Sequence, residues 1–250
     1  MSPFIEIRNV SMNFGDVVAV DDVSISVRQG EIFGLVGSDG AGKSTLLRML
    51  ATMLIPSKGE ISIHGYNVVS DRTRVKRMIG YMPQRFGLYQ DLTVNENIDF
   101  FLDIFGIFGS ERRRRKKRFL EFSNLDPFAD RQAGNLSGGM KQKLGLACVL
   151  VHQPEVLILD EPTNGVDPVS RREFWDILFQ MQRDGMTILI STAYLDEGEK
   201  CTRLGLMHTS RLIDTGIPDS IRGGLPTLEE AVIERIKDVD RDLIHDSFKL

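Results

Sequence analysis

The sequence predicts an α/β fold with a mostly parallel sheet and crossover helices, an N-terminal antiparallel β subdomain and an inserted α-helical subdomain. Three observations lead there. Apolar strand-like runs alternate with helical stretches along most of the chain. Residues 3 to 27 alternate apolar and polar side chains and are rich in β-branched types. From about Thr93 to Leu136 the pattern becomes helical only, with Ile98, Phe101, Leu102 and Phe105 at i, i+3, i+4 and i+7.

Taken in order, "FIEIRNV" and "VVAVDDVSISV" read as strands joined by a turn at Gly15-Asp16. "EIFGLVG" is a buried strand running into a glycine loop, and "STLLRMLATML" behind it has helical character. "GEISIHG" and "IGYMP" are further strands. A charged helix, roughly Glu111 to Ser123, closes the helical insert. The β/α alternation then resumes with a helix from Ser137, the strand "VLILD", a helix from Val169 and the strand "MTILIST". "RLGLMHTSRLIDTG" reads as a hairpin and "LPTLEEAVIERIKD" as a terminal helix. The expected organisation is one domain over 1–237, the insert at about 93–136, and a polar tail at 238–250.

Composition bounds the function. The chain has 250 residues, 42% hydrophobic and 26% charged, which suits a soluble globular domain. A net charge of −4 gives no overall attraction to nucleic acid or anionic membrane. Cys148 and Cys201 stand far apart in no metal-like spacing, as expected of a reduced, intracellular protein. The N-terminus shows no signal peptide. The longest apolar stretch, Ile98 to Phe108, is interrupted by Asp99 and Asp103 and is too short to cross a bilayer. Any membrane crossing is expected of another subunit.

Gly37, Gly42, Lys43 and Ser44 form G-x-x-x-x-G-K-S between an apolar strand and a helix, so the core is expected to be of the P-loop NTPase kind. Along the loop Gly37, Ser38, Asp39, Gly40, Ala41, Gly42, Lys43, Ser44 and Thr45, backbone N–H groups can close on phosphate oxygens. The helix start adds positive potential. Lys43 is expected to reach the β- and γ-phosphates, and the Ser44 hydroxyl to ligate Mg²⁺. Asp39, an acid in this loop, is expected to point outward.

"VLILDEP" is an apolar strand that ends in two acids. Asp160 is placed to hold Mg²⁺ through water, and Glu161, facing another side, to polarise the attacking water. The plainer alternative is a polar strand end that begins a turn before Pro162. In "NLSGGMKQKLGLACVL", residues 135–150, Ser137 can cap a helix that begins at Gly138 and Gly139. Its free N–H groups then make a second anion site, backed by a buried stripe of Leu144, Ala147, Cys148 and Val151.

With these three motifs the chain resembles the ATP-binding-cassette (ABC) ATPases from Ile5 to about Glu234. The resemblance implies ATP and Mg²⁺ as cofactors. It also implies a head-to-tail dimer, in which ATP lies between one chain's phosphate loop and Ser137, Gly138 and Gly139 of the other. The partner is expected to be a second ABC ATPase domain, in a homodimer or a tandem or heterologous pair, with transmembrane permease subunits beyond it. Phe14 matches the aromatic that stacks on adenine; a core phenylalanine is the alternative. Gln84 matches the glutamine that contacts Mg²⁺ and senses the γ-phosphate. Phe86 to Thr93 match the surface that receives a membrane subunit's coupling helix. Asp167 matches the aspartate that signals across the dimer, and it can also cap the following helix.

One position departs from the family. After "ILIST" the family places a histidine that contacts the γ-phosphate; here it is Ala193. A methyl group donates no proton, and losing one such donor costs on the order of 10² to 10³ in rate. His64, His152 and His208 lie in other segments. Three readings follow: a slow or silent member of an asymmetric pair, hydrolysis through Glu161 with a compensating partner, or an engineered trap. "STAY" and "GGLPTLEEAVIERI" resemble the first ATPase domain of tandem drug-export cassettes, which favours the first reading and would make 238–250 a linker.

The expected function is therefore a cytoplasmic ATPase domain, peripheral on the inner face of the membrane, that drives an exporter through nucleotide-dependent dimerisation. The alternative is a soluble or regulatory nucleotide switch not tied to transport. The run "ERRRRKKR" reads as a solvated face of the helical insert, with contact to anionic lipid as the next reading. Nucleic acid is not expected as a partner.

Overall fold

The computed structural model describes residues 3–247. The chain divides into two units, Met1–Val75 with Leu189–Leu250, and Lys76–Ile188. The first unit opens with β1 (Ile5–Phe14), β2 (Val17–Val27), β3 (Ile32–Val36), α1 (Lys43–Leu50), β4 (Lys58–Ile63) and β5 (Tyr66–Asn67). Helix α2 (Arg72–Met78) carries the chain into the second unit. There follow β6 (Ile79–Met82), α3 (Val94–Ile104), α4 (Gly109–Phe122), α5 (Gly138–Leu150), β7 (Val156–Asp160) and α6 (Pro168–Arg183). Strand β8 (Thr187–Thr192) returns the chain to the first unit. It ends with α7 (Leu195–Gly198), β9 (Arg203–His208), β10 (Arg211–Gly216), α8 (Pro218–Arg222) and α9 (Leu228–Ser247).

In the first unit an antiparallel sheet has the order β2-β1-β4-β5. Ile5, Ile7, Val10 and Met12 of β1 face its core, while Arg8 and Asn9 face out, the alternation that a one-sided sheet requires. The second sheet there runs β10-β9-β3-β8, with β9 parallel to β3 and antiparallel to β10. In the second unit β6 pairs with β7 in parallel. Strands β3, β7 and β8 are buried along their whole lengths. They lack alternation because parallel strands are covered on both faces. The predicted α/β class, the antiparallel N-terminal subdomain and the helical insert are all present.

Helix α3 begins with a capping box in which Thr93 accepts from the Glu96 amide and Glu96 accepts from the Thr93 amide. Of the expected stripe, Ile98 and Leu102 are fully buried. Phe101 stacks on Phe86 with centroids 5.6 Å apart, and Phe105 lies parallel to His152 at 4.1 Å. Phe105 is 42% exposed, so the stripe leaves the core at its last member. The charged helix starts at Gly109, two residues before the expected Glu111.

The basic run on α4 divides by face. Arg112 and Lys116 bond to Asp99 at 3.0 and 2.7 Å, and Arg115 donates to the Val151 carbonyl at 2.7 Å. Arg113, Arg114, Lys117 and Arg118 are exposed. Three of its seven cations thus hold α4 to its neighbours, and four are exposed.

The polar segment after residue 237 continues as helix to Ser247, and residues 248–250 lie outside the described residues. Leu228 and Val232 of α9 share a core with Val36, Leu204, Leu206 and Ile221. His208 and Asp240 meet at 2.8 Å farther along the helix. Those contacts extend order past the expected tail boundary.

Candidate functional site

In the first unit the fully buried β3 delivers the chain into the 37–45 loop, and α1 begins at Lys43 as expected. The loop closes on itself through Ala41 N–H donating to the Ser38 carbonyl at 3.2 Å. Lys43 is 3% exposed, and its Nζ donates to the Gly37 and Ser38 carbonyls at 2.7 and 3.0 Å. The ammonium is therefore held inside the loop. Ser38, Asp39 and Gly40 form its exposed crest.

Two glycines are fixed by what lies behind them. A Cβ on Gly37 would stand 2.2 Å from the Met207 carbonyl oxygen, and one on Gly42 2.3 Å from that of Ala19. Gly42 also has φ 97°, where side chains are strained. At these two glycines the loop is pressed from behind against main chain.

Phe14 ends β1 and is 49% exposed, beside the exposed Val17 and Val18. A core role is thereby removed, and an aromatic face is left accessible. At the far end of β8, Thr192 donates to buried Glu197 at 2.7 Å and accepts from the Tyr194 amide at 3.0 Å. This turn holds Ala193 exposed at the strand end. Three of the four histidines are engaged elsewhere. His64 lies against Phe4 with centroids 5.0 Å apart, His152 against Phe105, and His208 on Asp240.

In the second unit β7 ends in Asp160, 1% exposed, and Glu161 follows, 8% exposed. Glu161 has φ 47°, a left-handed conformation that costs a residue with a side chain about 1–3 kcal/mol. A turn in which Asn164 N–H donates to the Glu161 carbonyl at 3.2 Å closes over it. Gln84 Nε2 donates to Glu161 Oε2 at 2.9 Å. Gln84 and Glu161, 77 positions apart, are thus brought together. A second amide, Asn164 Nδ2, reaches the same oxygen at 3.3 Å.

Ser137 caps α5 as expected, accepting from the Met140 amide at 3.3 Å. Leu144, Ala147, Cys148 and Val151 are all at most 1% exposed, so the expected stripe is the buried face. Asp167 caps α6, accepting from the Ser170 amide at 3.0 Å. That hydrogen bond holds its carboxyl below the usual range. A Cβ on Gly139 would stand 2.3 Å from Ser170 Cβ, so the glycine lets α5 and α6 start in contact. Cys148 and Cys201 are buried thiols. Burial pushes both up, Cys201 to about 12, which leaves them inert as nucleophiles.

Two residues were missed from sequence. One is Asn164. The other is Asn97, fully buried on α3. Its side chain accepts from the Tyr89 amide at 2.9 Å and donates to the Tyr89, Leu92 and Thr93 carbonyls at 3.0, 3.2 and 2.9 Å. It clamps part of the 86–93 segment. An amide next to Ile98 on the apolar side of a helix was the available signal.

Comparison with known proteins follows the same lines. The ABC transporter family model matches residues 20–164. "Probable multidrug ABC transporter ATP-binding protein YbhF" of Escherichia coli is 48% identical over 206 residues, 82% of this chain and 36% of that protein. The chain thus spans about a third of that relative's length. "Nod factor export ATP-binding protein I" of Burkholderia orbicola is 41% identical over 218 residues, 87% of this chain and 72% of that protein. Among solved structures, cbiO1 of Clostridium perfringens, described as part of an ABC transporter complex, superposes with TM-score 0.83 at 27% identity, covering 100% of both chains. The ATP-binding cassette MJ0796, a dimer in a post-hydrolysis state with ADP and Pi, gives TM-score 0.75 at 25% identity, over 85% of this chain and 98% of that one.

Proposed function

The chain belongs to the ABC transporter family, and from that premise we propose that it is the ATP-binding, ATP-hydrolysing domain of an exporter whose own site turns over slowly. The observation that carries this reading is the loop around Lys43, with its buried ammonium and its exposed crest at residues 38–40. Amides and ammonium together suit a triphosphate tail. The exposed face of Phe14 suits an adenine ring. The donors assigned to Mg²⁺ are the Ser44 hydroxyl, the Gln84 amide oxygen and the Asp160 carboxylate. All are hard oxygens of the kind Mg²⁺ takes. Gln84 turns its nitrogen to Glu161, which leaves its oxygen as the end able to meet a cation. Bound Mg²⁺ would neutralise phosphate charge and orient the γ-phosphoryl group.

The protein's own work is then divided. Lys43 and the 37–45 amides bind and orient the phosphates. Glu161 accepts a hydrogen bond from the attacking water and orients it. Ser137, Gly138 and Gly139 present the start of α5 to a nucleotide held by a partner ATPase domain. Asp167, at the start of α6, is placed to signal that contact. Dimerisation on ATP moves the surface at Phe86–Thr93 against transmembrane permease subunits, and the chain works peripherally on the cytoplasmic face. The likeness to multidrug and Nod factor export proteins supports the export direction. Ala193 supplies no donor to the γ-phosphate, so hydrolysis is slowed more than binding.

A steady-state assay tests this. The isolated chain binds Mg·ATP and turns it over weakly. Ala193→His raises the rate by on the order of 10². Rapid, Lys43-dependent hydrolysis by the unmodified chain, with no gain from the histidine, would contradict it. The methyl group at 193 also favours a second reading, a nucleotide switch not tied to transport. Failure to co-purify with membrane would favour that one.

A further inference from the structure

The turn after β7 carries a second amide aimed at the glutamate, and it points to a positioning role. We propose that Asn164 is a positioning residue that, together with Gln84, fixes the carboxylate of Glu161 for its work on the attacking water. This rests on the reading of Glu161 given above.

The geometry is specific. Gln84 Nε2 and Asn164 Nδ2 converge on one oxygen, Oε2, at 2.9 and 3.3 Å. The last torsion of a glutamate side chain is broad and roughly two-fold. One donor sets a distance; two donors on the same oxygen also select which oxygen faces them. The direction of Oε1 follows. A carboxylate accepts and an amide NH₂ donates, so both amide orientations are set by the partner.

The two donors differ in how they are held. Gln84 comes from the segment after β6, 77 positions away, and its other end suits a cation. Asn164 sits on the same turn as Glu161, tied to it by the main-chain bond from its own amide to the Glu161 carbonyl at 3.2 Å. When Gln84 shifts, Asn164 keeps the carboxylate aimed. The turn that forces Glu161 to φ 47° is what brings Asn164 back over it. The strained backbone and the positioning amide are thus one local device. Asn164 is itself exposed, so a core role does not explain it.

Single-turnover hydrolysis, with protein in excess over Mg·ATP, reads even a slow site. Glu161→Gln first tests the underlying reading and slows the step by about 100-fold. Asn164→Ala slows it about 10-fold, with the Kd for Mg·ATP and the melting temperature unchanged. Asn164→Asp, of equal size but without a donor and with a like charge beside Glu161, slows it at least as much. In the Glu161→Gln background, Asn164→Ala has less than about a two-fold further effect, because no carboxylate remains to be positioned. Asn164 variants at the wild-type rate beside a slow Glu161→Gln would overturn the inference alone. So would an equal Asn164→Ala effect in both backgrounds. A wild-type rate in Glu161→Gln would overturn the reading of Glu161 and the inference with it.

Discussion

Asn97 gathers four side-chain hydrogen bonds at one fully buried position. Its buried amide accepts from one main-chain N–H and shares its two N–H protons among three carbonyls of the 89–93 loop. Cutting it to alanine leaves the Tyr89 amide without that partner, while the three carbonyls keep main-chain donors. Asn97→Ala should lower unfolding stability by about 1–3 kcal/mol. It should also speed hydrogen exchange at the Tyr89 amide. Denaturant titration and exchange mass spectrometry read the two effects, and an unchanged midpoint would contradict the clamp. The same scale separates what could be read in advance. Lys43 and Ser137 sit in local patterns whose spacing located them, whereas Asp167 came from the family resemblance and from its place before a helix. Asn97 and Asn164 act by folding back onto main chain or a neighbouring carboxylate. An asparagine in sequence gives no sign of which way it will fold.

Among the elements, the helical insert shows how a lobe of few helices is fastened. Asp99 of α3 receives both Arg112 and Lys116 of α4. Phe105 at the end of α3 lies on His152 just past α5. His152 meets the Ile79 carbonyl at 2.9 Å, while its Nδ1 has no hydrogen-bond partner among the described residues. Burial pushes its pKa below the ordinary 6.5, with nearby Arg115 adding to the shift. The folded state thus takes up its proton at lower pH than the unfolded chain. Its contribution to stability is complete above 6.5 and is lost as pH falls from there toward the depressed folded value. Melting temperature should therefore drop on acidification from pH 7, and His152→Gln should remove part of that slope. Parallel slopes in the two proteins would contradict it. Element types were legible from periodicity, because 3.6-residue and two-residue repeats are local. The early start of α4 at Gly109 and the length of α9 were not. At the first, the cap position falls on Phe108, which makes no side-chain capping bond, and along the second Asp240 meets His208 from far away in sequence.

At the level of the whole molecule, each unit carries its own part of the proposed chemistry. The first holds the loop proposed for the phosphates, the aromatic at Phe14 and Ala193. The second holds Gln84, Asp160, Glu161, Asp167 and the start of α5. The fold class was legible because fully apolar strands alternating with helices leave few other arrangements. The fit of the loop to main chain at Met207 and Ala19 was not, since those contacts join residues far apart in sequence. Among the described residues no helix is long and apolar enough to cross a membrane. The proposed chemistry requires that the main chain around Lys43 grip a triphosphate. Calorimetric titration with Mg·ATP measures that grip. The folded wild-type chain should bind saturably, and Lys43→Ala should bind about 10-fold or more weaker, roughly the worth of one charge-assisted contact. No heat from well-folded wild type, or equal affinity in the two proteins, would contradict it.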